Sequence, residues 1–196
     1  MLLLKDKFKN TRIILASGSP RRRFLLGELG IEFEVVDNAG IEEIYPDTLN
    51  EKQIPVYLAE KKSEALKHLL DDDVLIITAD TIVWCRKRVL DKPDGRDDAI
   101  RMLKELSGRR HLVISGVCLR SKTKMVSFNS VTSVFFRDLN AGEILYYVDN
   151  YKPFDKAGAY GIQEWIGYTG IRSIKGSYFN VMGLPMDKLY EHLVDF

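Results

Sequence analysis

Apolar positions along the chain fall into two spacings. Arg12-Ile13-Ile14-Leu15-Ala16 predicts a short strand, and Ile31-Glu32-Phe33-Glu34-Val35-Val36 alternates like a half-buried one. Val74-Leu75-Ile76-Ile77-Thr78-Ala79 is a continuous apolar run, the pattern of a central strand covered on both faces, and it ends abruptly at Asp80-Thr81. Ile82 to Cys85 and Val89-Leu90 predict a hairpin with Arg86-Lys87-Arg88 at its tip. His111 to Leu119 and Met125 to Phe136 predict a longer hairpin around a polar turn. Helical spacing covers Phe24 to Leu29, closing at Gly30. It returns from Pro55 to about Leu70, and from Gly95 to Leu106 with Ala99, Met102, Leu103 and Leu106 on one stripe. Asn140 and Glu143 predict a capping pair for a helix through about Val148, and Pro185 starts a last amphipathic helix.

Three places break this pattern. Between the first strand and its helix lies Ser17-Gly18-Ser19-Pro20-Arg21-Arg22-Arg23. Ser19 is the expected N-cap and Pro20 the first helical residue, so three arginines crowd the positive end of the helix dipole. A bound polyanion reverses the sign of that arrangement: hydroxyls, a glycine, unpaired amides and guanidinium forks at one helix start describe a phosphate cradle. A solvated basic turn is the plainer reading, and the strand–loop–helix setting favours the cradle. Neither the P-loop spacing nor a G-x-G-x-x-G fingerprint is present.

The second break is Lys62, on the same face as Leu58/Ala59 and Ala65/Leu66, where it either snorkels to solvent or serves a site. Lys61, on the outer face, poses no such question. The third is Asp80, at the end of the apolar run, where strands of open α/β sheets border a ligand crevice; turn capping is its plainer role. Lys92, beside Pro93, returns a second lysine toward the same end. From Asp37 to Glu51 five acids, Glu42 and Glu43 among them, occur without a Lys or Arg, which predicts an acidic loop.

Composition narrows the classes. The 196 residues are 45% hydrophobic, enough for a full core in one bilobed domain. With 29 basic and 28 acidic side chains no overall field argues for nucleic acid or an anionic membrane, so any basic site is local. Met1 to Leu4 is too short an apolar start for a spanning helix, and cytoplasm is the expected compartment. Cys85 and Cys118 lack a C-x-x-C partner and read as buried thiols; His68, His111 and His192 have no metal-ligand spacing. A metal, if used, is held by carboxylates. The glycine-rich final third, with Gly158-Ala159-Tyr160-Gly161-Ile162-Gln163 and Lys175 to Pro185, suits a pocket where backbone approaches a ring, although ordinary turns need the same glycines.

Taken together these blocks resemble the Maf family of nucleoside triphosphate pyrophosphatases along nearly the whole chain. The blocks are Ala16 to Arg22, Gly40 to Glu43, Leu58 to Lys62, Ala79 to Val83, Lys92-Pro93, and the pair Ala157 to Gln163 and Gly176 to Pro185. The resemblance implies an α/β fold, a twisted mixed sheet flanked by helices and similar to inosine triphosphatases, often as a homodimer. It implies hydrolysis of a nucleoside triphosphate to monophosphate and pyrophosphate with a divalent cation, Mg²⁺ or Mn²⁺. Carried residue by residue, the family's proton acceptor falls on Asp80, its phosphate contacts on Ser19, Arg22, Lys62 and Lys92, and a further active-site carboxylate on Glu43; Asp80 and Glu43 are then the metal-binding pair. Spacing alone does not choose Glu43 over Glu42. Arg21, Thr81 and Gln163 match the positions that sort substrates, in the set associated with dTTP and UTP; the 7-methyl-GTP branch differs at all three. The rival reading is a regulatory nucleotide- or nucleic-acid-binding protein linked to cell division with little turnover. Acids beside a phosphate site weigh against it, because like charges repel unless a cation intervenes.

Overall fold

The computed structural model describes residues 3–37 and 40–196. A short helix α1 (Leu4–Lys7) precedes β1 (Arg12–Ala16), α2 (Pro20–Gly27), β2 (Glu34–Val36), α3 (Gln53–Ala65), β3 (Val74–Cys85) and β4 (Arg88–Leu90). There follow α4 (Arg96–Leu106), β5 (Arg110–Arg120), β6 (Met125–Phe136), α5 (Ala141–Tyr151), α6 (Trp165–Gly170), β7 (Ile171–Lys175), α7 (Tyr178–Met182) and α8 (Met186–Asp195). Among the described residues seven strands form one mixed sheet in the order β2-β1-β3-β5-β6-β7, with β4 paired to β3. β1 runs parallel to β2 and β3, whereas β3–β4 and β6–β7 are antiparallel.

The chain divides into two compact units, one of residues 1–80, 115–130 and 183–196, the other of 81–114 and 131–182. In the first, the ladder Arg12↔Val74 to Ala16↔Thr78 joins the two apolar strands. Successive residues of both are buried, so both faces are covered, as the unbroken apolar runs require. Ile14, Ala16, Val74 and Ile76 pack with Leu66 on one of those faces. Gly116 of β5 lets the backbone of α3 approach closely, since a Cβ there would lie 2.3 Å from Pro55 and Val56 main-chain atoms. In the second unit the predicted stripe of α4 is buried as expected, and packs with Ile144, Tyr147 and Val148 of α5. The Asn140–Glu143 capping box forms in full. Cys85 and Cys118 are free and buried.

Boundaries move where hydrogen bonding outweighs spacing. β2 begins at Glu34 rather than Ile31, since its three pairs with β1 start at Ile14↔Glu34, with the Glu34 carboxylate on Arg12. α3 begins at Gln53, before Pro55, because the Asn50 side chain accepts from the amides of Lys52 and Gln53; Pro55 sits in the first turn, where its missing N–H costs nothing. It ends at Ala65, and Lys67–Leu69 continue as a 3₁₀ turn. Arg88 belongs to β4, leaving Arg86 and Lys87, both at positive φ, as a two-residue turn that matches the strand twist. α5 runs on to Tyr151, and Pro185 caps α8 instead of opening it.

The largest difference concerns β3. It does not stop at Asp80-Thr81 but continues to Cys85, so Asp80 is a mid-strand residue. A carboxylate is tolerated at a buried point of a central strand because a cation faces it there.

Candidate active site

That cation is Lys62. Its ammonium donates to Asp80 Oδ1 at 2.5 Å and to Glu43 Oε1 at 2.7 Å. The Lys62 and Asp80 side chains are 7% and 8% exposed, and Glu43 is 43% exposed, so one end of the triad is sealed and the other open. Local periodicity produces the contact. Thr78 and Asp80 are two apart and share a face of β3; Ala59 and Lys62 are three apart and share a face of α3. Thr78 Oγ1 donates to the Ala59 carbonyl at 2.7 Å, which fixes the register of helix on strand and brings Lys62 to Asp80. Lys62 therefore does not snorkel.

The acidic loop is brought in by the neighbouring lysine. Lys61 Nζ donates to the carbonyls of Glu42 at 2.8 Å and Ile44 at 3.2 Å, which leaves the side chain of Glu43 directed at Lys62. Of the two glutamates, Glu43 meets Lys62 through its carboxylate and Glu42 meets Lys61 through its carbonyl. Lys61, read from the sequence as an outer-face residue, holds the loop. Its partners are main-chain carbonyls, which no side-chain pattern reveals.

The start of α2 forms as predicted, with Ser19 as N-cap and Pro20 at the first position. One part of the cradle is different. The amides of Ser19, Arg22 and Arg23 already have acceptors in Ser17 Oγ, Ser19 Oγ and the Ser19 carbonyl, and Pro20 has none to give, so unpaired amides at these positions are not what the turn offers. Its donors are side chains. Arg22 is anchored by Nε to the Gly183 carbonyl and by Nη1 to the Ala79 carbonyl, both at 2.8 Å, which places its guanidinium next to the residue preceding Asp80. Gly183 has φ of +117°, a conformation that favours glycine, at the point where its carbonyl meets Arg22. Burial pulls the Arg22 pKa below its ordinary value, Asp80 raises it, Arg21 lowers it and Glu43 raises it again. Arg22, Lys62, Asp80 and Glu43 therefore share one electrostatic environment in the first unit, with Ser19 and half-buried Arg21 on the helix that carries Arg22.

The other three predicted residues belong to the second unit. Thr81 is half-buried in β3, and Lys92 is exposed beside buried Pro93. Gln163 is half-buried, and its Oε1 is enclosed yet accepts no hydrogen bond from a described residue. Such an acceptor costs about 1–3 kcal/mol when left without a donor. No group of three or more His, Cys, Asp or Glu arranged to hold a metal ion occurs among the described residues. No described helix is long and apolar enough to cross a membrane.

Comparison with known proteins gives a consistent result. The family described as Maf-like protein matches residues 12–196. The dTTP/UTP pyrophosphatase of Phocaeicola vulgatus is 54% identical, over 96% of this chain and 97% of its own. That of Parabacteroides distasonis is 52% identical over 97% of this chain and 99% of its own, and that of Flavobacterium johnsoniae 47% over 97% and 98%. A solved HAM1 protein from Coxiella burnetii aligns with 95% of this chain and 100% of its own at 12% identity, with a TM-score of 0.49.

Proposed function

Because the chain belongs to the Maf-like protein family, we propose that it hydrolyses nucleoside triphosphates, dTTP and UTP foremost, to the monophosphate and pyrophosphate. The observation that carries this reading is the buried ammonium of Lys62 held between Asp80 and Glu43. A pure anion binder has no use for two acids converging on one point; an enzyme that must bind phosphate and a cation together does.

The donor set suits a hard divalent ion. Two carboxylates already meet around a positive charge, and Mg²⁺ or Mn²⁺ takes one or two carboxylates and completes its shell with phosphate oxygens and water. Asp80 and Glu43 would hold it. When bound, such an ion polarises phosphoryl oxygens and makes water a better nucleophile. Within the chain's own residues, Arg22 and Lys62 neutralise phosphate oxygens, with Ser19 as a hydroxyl donor. A carboxylate oxygen of Asp80 takes the proton of the attacking water. Charge held in place this way supplies most of the rate in phosphoryl transfer, and it requires neither histidine nor cysteine. Lys92 enters as a further phosphate contact, and Arg21, Thr81 and Gln163 as residues that select the base, supported by the family resemblance. The amide of Gln163 offers a donor and an acceptor, matching the carbonyl and N–H edge of uracil or thymine. On the same support we propose a cytoplasmic homodimer, which sedimentation tests.

Turnover of dTTP, UTP, CTP, ATP and GTP with separation of products tests the whole reading. Monophosphate with pyrophosphate, fastest from dTTP and UTP, is expected. Diphosphate with orthophosphate overturns the cleavage position, and equal rates overturn the base preference.

A further inference from the structure

Gln163 sits on a loop that is held by an unusually polar piece of the second unit's core. Tyr147, fully buried on α5, has its hydroxyl between two points of that loop: it accepts from the Gly161 amide at 3.0 Å and donates to the Glu164 carboxylate. The other oxygen of that carboxylate meets Lys156 Nζ at 3.0 Å, with Lys156 itself buried and also paired to Asp155 at 2.7 Å. Gly161 makes room for this, since a Cβ there would lie 2.8 Å from the Glu164 carboxyl carbon. On the far side of Gln163, the Tyr168 hydroxyl donates to its carbonyl. Between Lys156 and Gly161 the backbone is strained at Ala159, which is fully buried with φ of +59°, next to Gly158 at +68°. A non-glycine residue at positive φ persists only where its surroundings over-determine it.

Hydrophobic packing alone would be served as well by Phe, Leu and Met at positions 147, 164 and 156. The polar groups instead tie down the backbone around one residue, whose own Oε1 is enclosed and accepts from no described residue. We propose that Tyr147, with Glu164 and Lys156, is a clasp that fixes the position of Gln163 and thereby sets how strictly the base is selected. These three are positioning residues, and the inference rests on the reading of Gln163 as the residue facing the base.

The experiment measures kcat and KM for dTTP and CTP in the unaltered protein, in Tyr147→Phe and in Glu164→Gln, with circular dichroism to establish folding. Tyr147→Phe keeps the ring and removes both hydrogen bonds. A misplaced recognition group costs about tenfold, so the ratio of kcat/KM for dTTP over CTP falls about tenfold, through a rise in KM for dTTP, while kcat changes less than about threefold. Glu164→Gln keeps an acceptor for Tyr147 but loses the charge facing Lys156, and the ratio falls less, about threefold. A selective parent with folded variants that melt earlier but keep its selectivity overturns the clasp and leaves the function standing. A parent without base preference overturns the role of Gln163, and the clasp with it.

Discussion

Lys62 of the first unit and His111 of the second are both buried bases, and they are treated in opposite ways. Lys62 in α3 faces two carboxylates, one sealed and one open. His111 in β5 faces the Tyr160 hydroxyl at 2.7 Å and the rings of Phe136 and Tyr160. With no anion among its described partners, burial drives the His111 pKa down from 6.5 to about 3, so near neutrality it is an uncharged packing residue. The lesson is that burial of a titratable group does not mark a site. What distinguishes Lys62 from His111 is a charge kept in the interior by opposite charges, one of them open to a ligand.

The difference is broken most forcefully at Asp80. Asp80→Asn should lower pyrophosphate release by a hundredfold or more, about 3 kcal/mol or greater in transition-state stabilisation, with a native circular dichroism spectrum. A near-normal rate in the folded variant transfers its role to Glu43.

Next is the stability of the pair. Lys62→Met leaves Asp80 buried against no ammonium, and urea unfolding at pH 7 should show a loss of about 3 kcal/mol. Adding Asp80→Asn to Lys62→Met should restore most of it while activity stays absent. If the double variant is no more stable than the single one, the interaction of Lys62 with Asp80 is not what burial of the lysine depends on.

The smallest effect sharpens the contrast from the other side. Below pH 6.5 the unfolded chain protonates His111 and the folded one does not until about pH 3, so stability due to this residue is present above 6.5 and is lost as pH falls. Between pH 7 and pH 5 the loss should be about 2 kcal/mol, and the His111→Gln protein should lack that part of the slope. An unchanged slope assigns it to other groups.

Elements whose cause is local could be read directly. The stripe of α4, the Asn140–Glu143 box and the Ser19-Pro20 start of α2 depend on neighbours in sequence, and each forms as spacing implies. Lys62 and Asp80 were visible as violations of an apolar pattern, which is how a buried ion pair appears before the partners are known. The strand end assigned to Asp80 failed for the same reason: a carboxylate looks like a terminator until Lys62, contributed by another element, compensates it. Lys61 and the anchoring of Arg22 were out of reach because their acceptors are carbonyls, which every residue carries. His111 and Tyr160 pair across half a hundred residues and left no local trace.

The parallel pairing of β1 with β3 also dictates a timetable. On the ribosome β1 is made about sixty residues ahead of the strand it pairs with, and at ordinary rates of synthesis this is roughly 3–12 seconds. Through that interval Ile14 and Ala16 have only the three-residue β2 alongside among the described strands, and Lys62 is made 18 residues ahead of Asp80. The nascent chain thus carries an apolar strand edge and a lysine that interrupts an apolar stripe, a combination that discourages premature collapse onto itself while leaving an edge for chaperones to guard. The joining of β1 to β3 and the meeting of Lys62 with Asp80 then come within a few residues of each other in synthesis.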